Sequence, residues 1–190
     1  MIVLFLAPGF EEVEALAPLD LLRRAGLEVV TVAISAPGTW EDTTSVTGTH
    51  GITVLADMTE SAFAARLGDD LSLEAVILPG GMPGAANLDA SSTVEKTLEL
   101  AARTGAYLCA ICAAPLVLGK RGYLIGKRAT CYPGFEMLLE GATTGGKVIR
   151  DGNIITAAGM GVAQEFGLEI ISAMLSPEKA GEIRSAIQSM

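Results

Sequence analysis

The sequence predicts an α/β fold: a mostly parallel sheet with helices on both faces. Three observations predict it. Short unbroken apolar runs at 2–7, 28–34, 74–78 and 106–110 read as strands buried on both sides. Stretches of helical periodicity separate them, at 11–25, 61–67 and 94–104. Turns rich in glycine or small residues follow the first, third and fourth runs, and folds of this class place their sites at the carboxyl ends of strands.

Taken in order, residues 2–7 (IVLFLA) form the first strand, and the helix over 11–25 stops at Gly26. Residues 28–34 are rich in Val and Ile and form the second strand. A loop is expected at 37–44, then a short hairpin or edge strand at 46–55, where Thr and Val alternate. A short helix follows at 61–67 and the third core strand at 74–78, leading into Pro79-Gly80-Gly81-Met82-Pro83-Gly84. The helix over 94–104 closes at Gly105, and 106–110 is the fourth core strand. Beyond it come a helical stretch at 115–120, a short strand at 128–131 and a weak helix at 135–139. A hairpin pairs 147–150 with 153–157, its turn at Asp151-Gly152. Helices at 164–174 and 177–187 end the chain, the last with Pro177 at its first position. At 190 residues this is one domain, 1–190, with no repeat or linker.

Composition narrows the function. The net charge of -9, with scattered Lys and Arg, argues against nucleic acid as a partner. No apolar stretch reaches a membrane span, and the opening run lacks the basic flank of a signal peptide, so no membrane partner is expected and the expected compartment is cytoplasmic. Three cysteines are too few for a disulfide framework. One histidine and no second cysteine pair argue against structural zinc, so neither metal nor cofactor is expected.

The chemistry centres on Cys112, in Ala110-Ile111-Cys112-Ala113-Ala114-Pro115. A strand, a sharp turn and a helix with a nucleophile at the apex make a nucleophile elbow, and small flanking residues suit its tight turn. The helix start behind it should favour thiolate. The competing reading is a buried core cysteine. Glu14 lies in the first helix beside small apolar residues, four before Pro18, whose missing N–H should distort the helix. A carboxyl with little water around it has a raised pKa and serves as acid and base; Glu14 reads equally as part of a solvated acidic helix start with Glu11 and Glu12. Gly80-Gly81 allows close backbone approach, an N–H of this turn and that of Ala113 serving as oxyanion donors; the same glycines could instead cradle phosphate, though the GxxxxGK(S/T) pattern is missing. Asp20 reads as a surface or ion-pair residue. His50 either orients a thiolate or is polar surface. Cys109 and Cys112 have CxxC spacing, but a strand entering an elbow points them differently.

With these turns in place, the chain resembles the ThiJ/PfpI superfamily, specifically the parkinsonism-associated deglycase (glyoxalase III-like) branch. The resemblance rests on four motifs in order: Ala7 to Glu14 with Pro18 to Gly26, Leu78 to Gly81, Ala110 to Pro115, and Phe166 to Ile171. It implies a flavodoxin-like three-layer sandwich, like that of class I glutamine amidotransferases, and a homodimer. It implies that Cys112 is the reactive cysteine, Glu14 the carboxyl bonded to it, and Gly81 and Ala113 the oxyanion donors. One departure stands out: Tyr132, in Thr130-Cys131-Tyr132-Pro133, replaces a histidine found in several members. A phenol of ordinary pKa about 10 is a poor base at neutral pH, though it donates a hydrogen bond. His50 aligns roughly with a segment that approaches the partner subunit's site in relatives.

The function expected is therefore a cofactor-free, cysteine-dependent enzyme acting on 2-oxoaldehydes such as methylglyoxal, or on their early adducts with proteins. Two alternatives share its residues: a redox-sensing stress or chaperone-like protein with an oxidisable Cys112, and a cysteine peptidase or amidase, which needs an imidazole near Cys112.

Overall fold

The computed structural model describes residues 1–39, 42–68 and 71–189. Trp40 and Glu41, within the loop expected at 37–44, lie outside the described residues. The central strands are β1 (Ile2–Leu6), β2 (Val29–Ala33), β5 (Ala75–Leu78), β6 (Tyr107–Ile111), β9 (Val148–Asp151) and β10 (Ile154–Ala157). A small hairpin pairs β3 (Ser45–Thr47) with β4 (Thr53–Leu55), and β7 (Arg128–Ala129) pairs with β8 (Thr143–Thr144). The helices are α1 (Glu12–Arg24), α2 (Glu60–Ala64), α3 (Gly84–Ala90), α4 (Ser92–Thr104), α5 (Pro115–Gly119), α6 (Ala163–Met174) and α7 (Pro177–Ala186).

The sheet runs β2-β1-β5-β6-β10-β9, all neighbours parallel except the β9–β10 hairpin at one edge. Alternation along each strand splits the core in two. Val3, Phe5, Val76, Leu78, Leu108 and Ala110 face α2, α3, α4 and α5. Ile2, Leu4, Leu6, Ile77, Cys109 and Ile111 face α1, α6 and α7. This is the expected α/β sandwich, and the central strands β1, β5 and β10 are buried at every position. Phe5 meets Phe63 edge-on at 5.5 Å, a geometry worth about 1 kcal/mol beyond the burial itself.

The helix ends follow local chemistry. Ser91, Thr59 and Ser176 cap α4, α2 and α7 through their hydroxyls. Gly105 closes α4 in the left-handed region. Pro18 lies inside α1, which continues through it rather than breaking. Its helix packs closely on α6: a Cβ on Gly167 would sit 2.9 Å from both Pro18 Cα and Leu21 Cδ1.

Four details differ from expectation. The hairpin near the C-terminal end turns at Gly152 and Asn153, because Asp151 still pairs with Ile154. The helix expected at 61–67 is the shorter α2, capped one residue early by Thr59. The weak helix at 135–139 is a single 3-10 turn, Glu136–Leu138. Helix α3, unanticipated, follows the glycine-rich turn; Gly84 donates its N–H to Gly9 O and the Asn87 side chain donates to Pro8 O. Among the described residues no helix is long and apolar enough to cross a membrane.

Candidate active site

Parallel order brings the carboxyl ends of β1, β5, β6 and β10 side by side, and the turns beyond them converge on Cys112. Cys112 itself has φ of 64°, in the left-handed region that costs a non-glycine residue free energy. The conformation is held from both sides: Cys112 N–H donates to Ala157 O at 2.8 Å, and Cys112 O accepts from Tyr132 N–H at 2.8 Å. A strained apex pinned between β10 and the segment after β7 is the elbow that the small-residue motif anticipates.

Glu14 comes from the first turn of α1. Glu11 caps that turn, its Oε2 accepting Glu14 N–H at 2.6 Å, while Glu11 N–H donates to Gly80 O at 2.9 Å. Glu14 is 1% exposed. Its carboxylate accepts the Cys112 thiol, the Gly80 N–H at 3.1 Å, and the Met160 N–H. Burial pushes this carboxyl up to about 7, the Glu11 charge adding to the rise, against those three bonds. The backbone N–H groups of Gly81 and Ala113 both favour negative charge on the Cys112 sulfur. Gly81 adopts φ of 85°, and any Cβ there would collide with the backbone of Glu11, so both backbone conformation and space demand glycine.

The ionisation of Cys112 departs from expectation. The two N–H groups do favour thiolate, but burial first, and then the charge and bond of Glu14, outweigh them and push the thiol up to about 12. The helix behind the elbow is the five-residue α5, too short to reverse this. Above about pH 7 the pair holds one proton and carries one negative charge, and below it both groups are protonated, so the nucleophile is made by proton transfer within the pair rather than by a standing thiolate.

The other candidates divide. Gly80, expected to assist the oxyanion, instead donates to Glu14. Tyr132 is joined to the site through its backbone and is itself 52% exposed. His50 is held elsewhere: its Nδ1 lies 2.7 Å from Glu12 Oε2, and its N–H donates to Glu12 Oε1 at 2.7 Å. Asp20 is a surface residue paired with Arg24 at 2.6 Å. Cys109 is fully buried in the sheet core, and burial raises its pKa well above the ordinary thiol range, so the CxxC spacing does not make a dithiol site.

Two features escaped the sequence reading. Met160, beyond β10, supplies an N–H to Glu14, and the signal for it was the glycine-flanked run Gly159-Met160-Gly161 after an apolar strand. Glu12, expected to be solvated, is 3% exposed. Burial acts to raise its pKa, and the bonds from His50 and Ile52 outweigh it and hold the carboxyl below its usual range. Ligand atoms of Glu11, Glu12 and His50 lie within 4.8 Å of one another, the types that hold a metal. Those of Glu12 are already used, by the His50 ring and by the N–H groups of His50 and Ile52, which ties the β3–β4 hairpin to α1.

Space around the pair is tight. A Cβ on Gly80 would sit 2.5 Å from Glu14 Oε2, 2.6 Å from Cys112 Cβ and 2.8 Å from Ile111 O. Gly80→Ala is therefore expected to destabilise the protein by about 2 kcal/mol or more, read as a lowered denaturation midpoint. An unchanged midpoint would contradict this packing.

The DJ-1/PfpI family profile matches residues 1–173. The Arabidopsis thaliana protein named Protein DJ-1 homolog B is 35% identical over 93% of this chain, which spans only 39% of that longer protein. The Caenorhabditis elegans protein named Glutathione-independent glyoxalase DJR-1.2 is 29% identical over 91% of this chain and 87% of its own length. Among solved structures, a cysteine-to-alanine mutant of a DJ-1 superfamily protein from Salmonella typhimurium superposes with a TM-score of 0.87. That chain is 32% identical, with 100% of this chain and 98% of that one covered.

Proposed function

The chain belongs to the DJ-1/PfpI family, and from that premise we propose that it is a glyoxalase III-like enzyme converting 2-oxoaldehydes such as methylglyoxal to 2-hydroxy acids without glutathione. The observation that carries this reading is the buried Glu14 carboxylate bonded to the Cys112 thiol, with the Gly81 and Ala113 N–H groups on the sulfur. The similarity to a glyoxalase-named relative supports it.

The steps follow from these groups. The Cys112 sulfur adds to the aldehyde carbon, and the carbonyl π pair moves to oxygen, where the two N–H groups stabilise the charge. Glu14 takes the thiol proton and passes it to that oxygen, giving a neutral hemithioacetal and a free carboxylate. The carboxylate then removes the hydrogen on the former aldehyde carbon. The electron pair forms a carbon–carbon double bond as the keto π pair moves to its oxygen, giving an enediolate; the hydroxyl proton on the sulfur-bearing carbon passes to that oxygen, and Glu14 returns the abstracted proton to the neighbouring carbon as the thioester carbonyl forms. The product is a thioester of Cys112, which water cleaves to the hydroxy acid and the thiol. No redox partner is needed, since one carbon is oxidised and its neighbour reduced. Early adducts of the same aldehydes with proteins present the same carbon to Cys112. In this reading the enzyme is a homodimer, as the resemblance implies, and works in the cytoplasm.

A peptidase would need an imidazole on the thiol, and the ring of the chain's one histidine is bonded to Glu12. The test is lactate formation from methylglyoxal by the purified protein in glutathione-free buffer. Lactate above the buffer control is the expected result; none would overturn the proposal.

A further inference from the structure

Three backbone N–H groups close a ring of hydrogen bonds at the base of the Cys112–Glu14 pair. Glu11 N–H donates to Gly80 O at 2.9 Å, Gly80 N–H donates to Glu14 Oε2 at 3.1 Å, and Glu14 N–H donates to Glu11 Oε2 at 2.6 Å. Two of the three acceptors are carboxylate oxygens. One belongs to Glu14, which the chemistry above uses; the other belongs to Glu11, which it does not. The ring joins the first turn of α1 to the turn after β5, and it is closely packed. A Cβ on Gly80 would lie 2.5 Å from Glu14 Oε2, and one on Gly81 would collide with the Glu11 backbone.

Glu11 is an unusual residue for its place. It caps α1, and helix caps favour Ser, Thr, Asp and Asn, whose short side chains already reach the free N–H groups of the first turn. Helices α2, α4 and α7 use Thr or Ser in this way. Capping alone does not call for a longer charged side chain, 12% exposed, beside a second carboxyl. Its charge adds to the rise that burial gives Glu14. Among the described residues, the other titratable groups at this turn are Glu12, His50 and Cys112. Glu12 is bonded to the His50 ring at 2.7 Å, that ring lies 3.9 Å from Glu11 Oε1, and Cys112 is the partner of Glu14.

We infer that Glu11 is a positioning residue for the proton transfers of Glu14: its side chain closes the ring that holds the Glu14 carboxylate at the Cys112 thiol, and its negative charge acts on that carboxylate. The inference deepens the aldehyde reading proposed above and, as a statement about catalysis, rests on it. Glu11 acts through Glu14, not on the substrate. Opening the ring frees the turn that carries Glu14, and a displacement of about 1 Å at a reacting group costs up to about 100-fold in rate. Removing the charge alone leaves the ring closed but lets Glu14 release its proton more readily.

Two variants separate these contributions. Glu11→Gln keeps an acceptor oxygen on a side chain of the same length and removes the charge; Glu11→Ala removes both. The first readout is the pH dependence of Cys112 alkylation by iodoacetamide, which follows the first proton lost from the pair and needs no aldehyde. Wild type should show a midpoint near 7. Glu11→Gln should stay folded and move that midpoint to lower pH by about half a unit or more. The second readout is turnover of methylglyoxal at pH 8. Glu11→Ala should lower kcat about tenfold with KM within about twofold of wild type, and Glu11→Gln should recover most of that kcat. An alkylation midpoint unmoved in Glu11→Gln, or a folded Glu11→Ala with the kcat of wild type, overturns the inference and leaves the aldehyde reading standing. If Glu11→Ala does not fold, Glu11→Gln decides alone. Wild type that makes no lactate overturns the aldehyde reading, and the alkylation midpoint then decides by itself whether Glu11 acts on the pair.

Discussion

Replacing Cys112 with serine is expected to lower lactate formation from methylglyoxal about a thousandfold or more, to the level of the buffer reaction. A hydroxyl is less polarisable and far less acidic than a thiol, so it is the poorer nucleophile and gives its proton to Glu14 much less readily. The other two cysteines do not substitute. Cys109 and Cys131 are both buried, whereas Cys112 is partly exposed, and it is Cys112 that has the Glu14 carboxylate beside it to take its proton. In the same experiment, intact-mass spectra after brief iodoacetamide treatment should show one adduct on wild type and none on Cys112→Ser. Lactate formation retained in the variant would remove Cys112 from the mechanism. Wild type that makes no lactate, but whose Cys112 takes up oxygen under mild peroxide, would shift the weight to redox sensing.

The fold was legible because its apolar strands announce themselves locally. Ile2–Leu6 and Ala75–Leu78 are buried at every position, and a run of that kind between helical stretches has few other uses. Helix α3 was not legible, because what holds it lies far away in sequence: its bonds run to Gly9 and Pro8, and it has no side-chain cap. Within the site, Cys112 with Ala113 and the Gly80-Gly81 turn could be found from strand ends, whereas Glu14, in the first turn of α1, read equally as a solvated acid until the family resemblance singled it out, as it singled out Gly81. Met160 could not, because its contact with Glu14 depends on β10 lying beside β6. Glu12 was hidden for a similar reason: its burial comes from His50 and Ile52, on a hairpin that sequence alone does not dock. The ionisation of Cys112 was misread because a helix start is visible in sequence, whereas the facing carboxylate and the depth of burial are not.

Replacing Glu14 with glutamine is expected to lower kcat by about 10² to 10⁴, the range that a positioned acid–base group contributes. The carboxylate has two transfers to perform, from sulfur to oxygen and between adjacent carbons, and an amide performs neither. The effect has a pH signature. Wild-type kcat/KM should climb as pH rises through about 7, as Glu14 ionises, whereas the residual activity of Glu14→Gln should lack that step. Stability should move in the opposite direction. Because the folded-state pKa of Glu14 lies above its ordinary value, the folded protein binds more protons than the unfolded chain between about 4.5 and 7. Wild-type stability therefore falls across that window and is lowest, as far as this group is concerned, above it. A rise from 4.5 to about 7 corresponds to about 3 kcal/mol. Glutamine escapes this penalty but also places an amide N–H against the N–H of Gly80 or Met160, so its absolute stability has contributions of both signs. The difference between the two proteins is the cleaner quantity. It should shift by about 3 kcal/mol in favour of Glu14→Gln between pH 4 and pH 8, measured by urea unfolding. A shift with no loss of activity would make Glu14 a buried structural acid. Loss of activity with no shift would mean that its carboxyl titrates normally, and that the proton shared with Cys112 is not what burial has set.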